Sequence, residues 1–283
     1  MARSQDLLFT LYGDYLRHRG GEVWTGSLIE LLGLLGLSEQ AVRSTLSRMS
    51  RKGWFKSRRV GNKSYYALTR KSEELLEEGA QRIFRPRFDL WDGRWHILTY
   101  SIPERKRHLR HRLRTRLTWL GFGSLSNATW ISPRDLRREV EQLVSSLGIN
   151  GHVEIFSAEH LGFNDDQALV AHCWNLKELN KAYSAFIEKY EPGFLEAKKK
   201  MARGDGLEPS DCFVQRFMLV HDYRSSPYVD PNLPLELLPP DWLGHKAIRL
   251  FQEYHGLLTA GANAFVDEVL AKEPPPDAAR GRL

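Results

Sequence analysis

The chain has 283 residues and a formal net charge of +6, and its hydrophobic content of 42% is ordinary for a globular protein. This length exceeds what one hydrophobic core usually holds, so two or three domains are expected. The two cysteines, Cys173 and Cys212, have no metal-ligand spacing and form no disulfide framework, which predicts reduced, buried thiols. The longest apolar run, residues 28–37, is too short to span a bilayer, and no signal peptide is recognised. We therefore expect a cytoplasmic protein with no membrane partner.

Positive charge is concentrated near the N-terminus. Residues 1–86 carry a net charge of +6, residues 87–175 carry +2 and residues 176–283 carry −2. Between Arg43 and Lys63 there are eight basic residues and no acidic one. This distribution is typical of a DNA-binding head on a nearly neutral body.

Two helices are predicted at the start of the chain. Apolar residues between Leu7 and Tyr15 recur at helical spacing, which predicts a first helix over about 5–18. Ser27 is expected to cap a second helix that ends near Leu35.

A third helix, from Glu39 to Lys52, is predicted after Ser38 as its N-cap, with Gly53 as its stop. Val42, Leu46 and Met49 form one apolar stripe. The residues that point away from this stripe are Gln40, Arg43, Ser44, Ser47, Arg48 and Arg51. Arginine can contact guanine and glutamine can contact adenine in a major groove, so this face is the predicted recognition surface. The alternative is a solvated charged face, which is disfavoured because such faces usually interleave acidic partners and none follows Glu39.

A basic hairpin is predicted directly after this helix. Two strand-like runs, Trp54–Arg59 and Ser64–Leu68, flank a Gly61-Asn62 turn. The predicted DNA contacts of this wing are Arg58, Arg59, Asn62 and Lys63. They would meet phosphates or the minor groove, and an ordinary basic hairpin is the alternative.

Four short segments of the head carry a family resemblance. They are Gly26–Ile29, Gly36–Arg43, Leu46–Arg48 and Lys52–Trp54. Together they resemble the PaaX family, the phenylacetate-degradation transcriptional repressors of bacteria. The resemblance implies a winged helix-turn-helix at the N-terminus.

The middle of the chain shows the order strand, helix, strand, strand, helix, strand, which is the ferredoxin-like plan. The predicted elements are a strand at 96–102, a leucine-striped helix ending at Gly121, strands at 122–125 and 128–131, a helix starting near Pro133 and a strand at 153–157.

Trp91–Trp95 and Leu120–Gly123 are also similar to the PaaX family, whose central domain resembles the small ferredoxin-like nuclease of CRISPR adaptation. That nuclease depends on an aspartate at the end of its first strand. Here Tyr100–Pro103 contains no carboxylate, and Glu104 is the first one. Oxygen ligation of Mg²⁺ would be poor, so we expect no enzyme activity, no metal and no cofactor.

The segment from Arg105 to Arg116 holds seven basic residues and two histidines. These side chains could contact DNA that flanks the operator. Alternatively they solvate the outer face of the leucine-striped helix, which is the favoured interpretation.

The last hundred residues are predicted to be mainly helical. A helix over Leu176–Tyr190 is expected to stop before Pro192, and a new one to cover Phe194–Ala202. Ser210 is expected to cap a helix through Val220, and a final helix covers His245–Val269. Pro231–Trp242 is similar to the C-terminal domain of the PaaX family.

His221-Asp222 could indicate a metal hydrolase, but adjacent helical side chains do not face each other. A packed corner is the plainer alternative. The resemblance implies a response to phenylacetyl-CoA or a related acyl-CoA, which needs cations for phosphates and aromatic groups for its other parts. Residues with suitable chemistry for this effector are His221, Tyr223, Arg224, Trp242, His245 and Lys246.

The sequence therefore predicts an α+β protein with a winged helix-turn-helix at 1–86, a ferredoxin-like domain at 87–173, a helical domain at 174–272 and a disordered tail at 273–283. The predicted function is repression of phenylacetate catabolic genes by a homodimer on palindromic double-stranded operator DNA, associated with the nucleoid when bound. Phenylacetyl-CoA or a similar acyl-CoA would release it.

Three alternatives stay open: a PaaX-like regulator of another catabolic pathway with a different effector, a metal-dependent nuclease, and an RNA-binding or protein-interaction module that reuses the head.

Overall fold

The structure, a computed structural model, describes residues 4–85 and 90–272, which form two compact units. The head unit comprises residues 4–85, 186–224 and 246–272. The central unit comprises residues 90–185 and 225–245. The segment 174–272, predicted as one C-terminal domain, is divided between the two units. The predicted tail at 273–283 lies outside the described residues.

The head unit begins with three helices, a hairpin and a fourth helix. Its elements are α1 (Ser4–Leu11), continued by a wider helical turn (Tyr12–Leu16), β1 (Glu22–Trp24), α2 (Thr25–Gly33), α3 (Glu39–Arg51), β2 (Phe55–Val60), β3 (Lys63–Leu68) and α4 (Arg70–Phe84). The strands form an antiparallel sheet of order β1-β3-β2. Three residues are too few to show an alternating pattern, so β1 was not predicted.

The predicted hairpin turn is confirmed. Val60 of β2 pairs with Lys63 of β3, which leaves Gly61 and Asn62 as the two turn residues. Gly61 has φ of +58°, a conformation that glycine adopts without the steric penalty of a Cβ atom.

The predicted cap at Ser27 is wrong. Helix α2 starts two residues earlier, at Thr25, and Trp24 occupies the capping position without a side-chain hydrogen bond. Ser27 is buried, and its hydroxyl donates to the backbone carbonyl of Val269 at 3.3 Å. A local capping rule could not reveal a partner 242 residues away.

The central unit has the predicted ferredoxin-like order. Its elements are β4 (Trp95–Tyr100), α5 (Arg107–Leu120), β5 (Gly123–Ser124), β6 (Thr129–Ser132), α6 (Arg137–Leu147), β7 (Val153–Ala158) and an additional helix α7 (Asp166–Cys173). The sheet order is β5-β6-β4-β7, and every neighbouring pair is antiparallel. Helix α6 starts at Arg137, four residues after Pro133, near which its start was predicted.

Apolar side chains cover both faces of this sheet, because its central strand β4 alternates between them. Leu98 and Tyr100 pack with Leu113, Leu117 and Val140 of α5 and α6. On the opposite face, the buried residues are Trp95, Ile131, Val170, Leu176, Leu233, Leu237 and Leu238. The proline-rich segment Pro231–Trp242 therefore contributes to the core of this unit.

Gly121 ends α5, as the sequence predicts, and has φ of +94°. A Cβ atom at this position would lie 2.9 Å from the carbonyl oxygen of Pro231. The backbone of the proline-rich segment thus approaches α5 at a point where only glycine fits.

The remaining helices are α8 (Leu176–Arg203), α9 (Pro209–Tyr223), α10 (Ser225–Val229) and α11 (Gly244–Ala271). The predicted break at Pro192 is wrong, because α8 passes through it. An internal proline costs about 3 kcal/mol. Packing on both sides of it offsets this loss, since Phe194 contacts Tyr254 and the Tyr190 hydroxyl donates to the Met218 carbonyl.

The cap predicted at Ser210 is also wrong, since Pro209 is the first residue of α9 and Glu208 occupies the capping position without a side-chain hydrogen bond. Cys173 is a half-buried free thiol and Cys212 a buried one. Across residues 4–85 and 90–272, the structure contains no helix with the length and hydropathy that a membrane crossing needs.

Candidate nucleic-acid interface

Helix α3 starts at the predicted residue, Glu39, and ends at Arg51, one residue before the predicted Lys52. The Ser38 hydroxyl accepts a hydrogen bond from the backbone N–H of Ala41 at 3.3 Å, which satisfies one of the free donors of the first turn. Gly53 follows the last turn with φ of +73°. The Ser38 cap and Gly53 therefore set the two ends of this helix.

Burial separates the two sides of α3. Val42, Leu46 and Met49 are fully buried, and Thr45 is 3% exposed. The six residues predicted to contact bases are all exposed: Gln40, Arg43, Ser44, Ser47, Arg48 and Arg51. The structure thus brings the predicted recognition residues together on one solvent-facing surface, which we call the α3 face.

The arginines of the α3 face are held only weakly. Arg43 forms an exposed ion pair with Glu39 one turn earlier, at 2.8 Å. An exposed pair of this kind contributes about 0.3–0.5 kcal/mol, so an incoming base or phosphate can displace it. Arg48 lies 3.5 Å from the Thr45 hydroxyl, a distance at which a hydrogen bond is weak.

The hairpin presents the four predicted wing residues, but in different settings. Arg58 pairs with Glu22 of β1 at 2.6 Å and lies over the Tyr65 ring, 5.1 Å from its centre. Its hydrogen bond lowers the pKa of Glu22. Arg59 donates to the Gly61 carbonyl at 3.1 Å. Arg59 and Asn62 are exposed, and Lys63 is half-buried.

Glu22 is a neighbour of the predicted wing that the sequence did not reveal. It lies 36 residues from Arg58 along the chain, on a strand too short to predict. Only the β1-β3-β2 order brings its carboxylate beside the wing. The stretch from Arg43 to Lys63 contains no acidic residue, but in the fold the carboxylate of Glu22 contacts it.

A buried polar network joins the helical turn Tyr12–Leu16, which continues α1, to α9 and α11, all within the head unit. Arg216 is 5% exposed. Its three nitrogens contact Asp14 at 2.9 Å, His255 at 2.9 Å and Asn263 at 3.0 Å. Its guanidinium also lies over the Tyr15 ring, 4.5 Å from the ring centre. The network fixes Asp14, so it anchors the first helical segment of the head.

The electrostatic balance at Asp14 depends on that network. Burial raises the pKa of Asp14, but the hydrogen bond with His255 and the positive charge of Arg216 outweigh it, so the pKa is lowered. No periodicity indicated these residues, because Asp14 and Arg216 are 202 positions apart.

The six residues predicted for an effector fall in both units. His221, Tyr223, Arg224 and Lys246 belong to the head unit, and Trp242 and His245 belong to the central unit. His221 and Tyr223 lie in the last turn of α9, and Arg224 is the residue that caps its C-terminus. Trp242 packs edge-on against Tyr183, with ring centres 5.5 Å apart.

Within the head unit the predicted effector residues have protein partners. His221 lies 3.0 Å from the Thr10 hydroxyl, and burial, its largest influence, lowers its pKa. Tyr223 is 2% exposed and stacks on Phe251 at 4.0 Å. Arg224 pairs with Asp6 at 3.7 Å. Lys246 pairs with Glu191 at 2.8 Å. This geometry fits the packed corner considered from the sequence.

The described parts of the central and head units hold no group of three or more His, Cys, Asp or Glu residues arranged to bind a metal ion. Glu104, the first carboxylate after β4, is exposed and pairs with Arg110 at 2.7 Å.

The head therefore combines an exposed basic helix and a basic hairpin, and the central unit is ferredoxin-like. The architecture defines an α+β protein. Three family models match the chain: "PaaX-like protein" over residues 3–72, "PaaX protein central Cas2-like domain" over 89–170 and "PaaX-like protein C-terminal domain" over 174–268.

A curated relative, the transcriptional repressor PaaX of Escherichia coli (strain K12), is 37% identical over 265 residues, which cover 93% of this chain and 82% of the relative. The chain belongs to the PaaX family. Among solved structures, the uncharacterized protein Rv0674 from Mycobacterium tuberculosis has a similar fold, with a TM-score of 0.60, 24% identity and coverage of 95% of this chain and 98% of that one.

Proposed function

We propose that this protein is a DNA-binding transcriptional repressor whose α2, α3 and β2–β3 hairpin act as a winged helix-turn-helix. The observation that carries the proposal is the α3 face, six exposed residues with arginine, glutamine and small serines, above a fully buried apolar stripe. The E. coli relative is named a transcriptional repressor, which supports the same conclusion.

In this proposal α3 enters the major groove. A helix with its side chains is about 10–12 Å wide, and the groove is about 12 Å wide. Arg43, Arg48 and Gln40 would contact base edges, and the short serines would let the helix approach closely. Arg59, Asn62 and Lys63 of the wing would contact phosphates or the minor groove. Arg58 would do so after release from Glu22.

One helix of this kind contacts only a few base pairs. We therefore propose a two-fold homodimer on a palindromic operator, with half-sites about 34 Å apart or a multiple of that distance. Binding at the promoter would block transcription.

The regulated genes would be those of phenylacetate catabolism, and phenylacetyl-CoA or a similar acyl-CoA would release the repressor. An effector can do this if it prefers the protein conformation that binds DNA weakly. The residues that the sequence predicts for this effector are His221, Tyr223, Arg224, Trp242, His245 and Lys246. Because Tyr223 is almost fully buried, it would shape such a site rather than contact the ligand. A related pathway with another effector is the alternative.

Selection of genomic fragments by the full-length protein tests the proposal. We expect enrichment of palindromic sites upstream of phenylacetate-degradation genes, and phenylacetyl-CoA should elute the bound fragments. Palindromic sites upstream of other genes would support a repressor that regulates a different pathway. Fragments with no shared sequence would contradict sequence-specific binding.

A further inference from the structure

The central unit contains a basic cavity between α5 and strand β6. It has a volume of about 460 Å³, within the range of small-molecule sites. Arg107, Arg110, His111 and Arg114 line it, together with two threonines and Trp130 of β6. A second cavity of about 450 Å³ is also lined by Arg110 and Arg114 and extends to Tyr100. Arg110 and Arg114 thus line both cavities.

Helical spacing explains why these residues converge. Positions 107, 110, 111 and 114 lie at i, i+3, i+4 and i+7, so they form one stripe about 10 Å long. Leu113 and Leu117 are fully buried and lie beside this stripe, in the same core cluster as Trp130. The cavity is therefore set by the packing of α5 on the sheet and not by a mobile loop.

The charges of this stripe are not balanced by the described residues. Arg110 pairs with Glu104, whereas Arg107 and Arg114 have no ion pair within the described part of the chain. Three arginines against one glutamate leave a net charge of +2 with His111 neutral. The first turn of α5 has no acidic residue, although the positive end of the helix dipole favours one there. A bound anion would reduce the repulsion between the arginines and would interact favourably with the positive end of the helix dipole.

Trp130 supplies a second, independent indication. It is 4% exposed, and its indole N–H has no hydrogen-bond partner among the described residues. A buried donor without a partner costs about 1–3 kcal/mol. The Arg114 guanidinium lies 5.9 Å from the centre of its ring, so donor and cation border the same cavity.

We propose that this cavity binds a small ligand that carries at least two phosphate groups, of the nucleoside diphosphate class. Guanidinium groups bind phosphate oxygens through paired, charge-assisted hydrogen bonds, and the net positive charge of the site attracts an anionic diphosphate. Arg107 and Arg114 bind the phosphates, and the Trp130 N–H donates to one of their oxygens once Arg114 turns towards the ligand. The site depends on the central unit alone and not on operator binding by the head.

Calorimetric titration of the full-length protein with inorganic pyrophosphate and with ADP tests the site. We expect saturable binding of both. The double variant R107Q/R114Q should lose at least about tenfold in affinity, because each lost charge-assisted hydrogen bond contributes about that factor. The matched control is R105Q/R112Q, which removes the same charge from exposed residues that do not line the cavity. It should change affinity by less than about twofold.

Trp130→Phe keeps an aromatic ring and removes only the donor. It should weaken pyrophosphate binding several-fold, and thermal unfolding shows whether the fold is kept. A higher affinity for ADP than for pyrophosphate would support a nucleotide, and equal affinities would support binding through the phosphates alone. No saturable binding of either probe, or equal losses in the two double variants, would overturn the site. Loss of operator affinity in R107Q/R114Q without pyrophosphate binding would also overturn it, and would assign the surface to DNA.

Discussion

Arginine occurs in two opposite settings in the head unit. Arg43 and Arg48 are exposed on α3, and their only local partners are Glu39 and Thr45 among the described residues. Arg216 on α9 is buried, with four aromatic or polar neighbours fixed around it. A charged side chain in water has no desolvation penalty and can exchange partners easily. A buried charge has a large desolvation penalty, so it needs ion-pair and hydrogen-bond partners. The first setting suits recognition, and the second suits the anchoring of the head.

Removal of the buried arginine should have the largest effect. Arg216→Ala leaves Asp14 charged and buried, so we expect a loss of about 3–5 kcal/mol in the free energy of unfolding. Urea unfolding measures it. Arg249→Ala, which removes an exposed arginine from α11, should change stability by less than about 0.5 kcal/mol.

Replacement of both partners, in the double variant D14L/R216M, should recover much of that loss because no uncompensated charge remains. If Arg216→Ala lowered the free energy of unfolding no more than Arg249→Ala, the anchoring role of the network would be contradicted.

The same network predicts an acid dependence of stability. The pKa of Asp14 is lower in the folded protein than its ordinary value near 3.9, so its contribution is fully present above about pH 4 to 5 and is lost as the pH falls through the folded pKa. Asp14→Asn should remove this contribution at neutral pH, by about 1–3 kcal/mol, and flatten the decline below pH 4. An unchanged pH profile in this variant would exclude Asp14 as its source.

The exposed arginines should affect binding rather than stability. Arg43→Ala and Arg48→Ala should each weaken operator binding by about 1–3 kcal/mol and relax the preference at one base position. Fluorescence anisotropy with matched and mutated operators measures both effects. Arg70→Ala is the control, since Arg70 also forms an exposed pair one turn away, with Glu74 on α4. Equal operator affinity in all three variants would contradict the assignment of α3 as the recognition helix.

The smallest effect is expected at the wing. Lys63→Ala should weaken binding to all duplexes alike and lower the slope of log K against log salt by about one unit, as for one phosphate contact. Lys199→Ala, an exposed lysine on α8, should leave the slope unchanged. Loss confined to one base position would point to base contact instead.

The sequence by itself determined the elements whose signals are local. Ser38, the spacing of Val42, Leu46 and Met49, and Gly53 place α3 correctly, because caps and periodicity act within a few residues. The Gly61-Asn62 turn likewise sets the hairpin, and the order of the predicted elements identified the ferredoxin-like unit. The exposure of the six residues of the α3 face follows directly, since the side opposite a buried stripe faces solvent.

Only the tertiary structure decided the partners that lie far apart in the chain. Glu22 beside Arg58, Ser27 bonded to Val269, and Arg216 beside Asp14 each join residues from separate elements. Helix α8 continues through Pro192 for the same reason, since packing with α9 and α11 outweighs a local breaker. Hydrogen bonds and packing at long range leave no periodic trace in sequence, because each depends on where two distant segments meet.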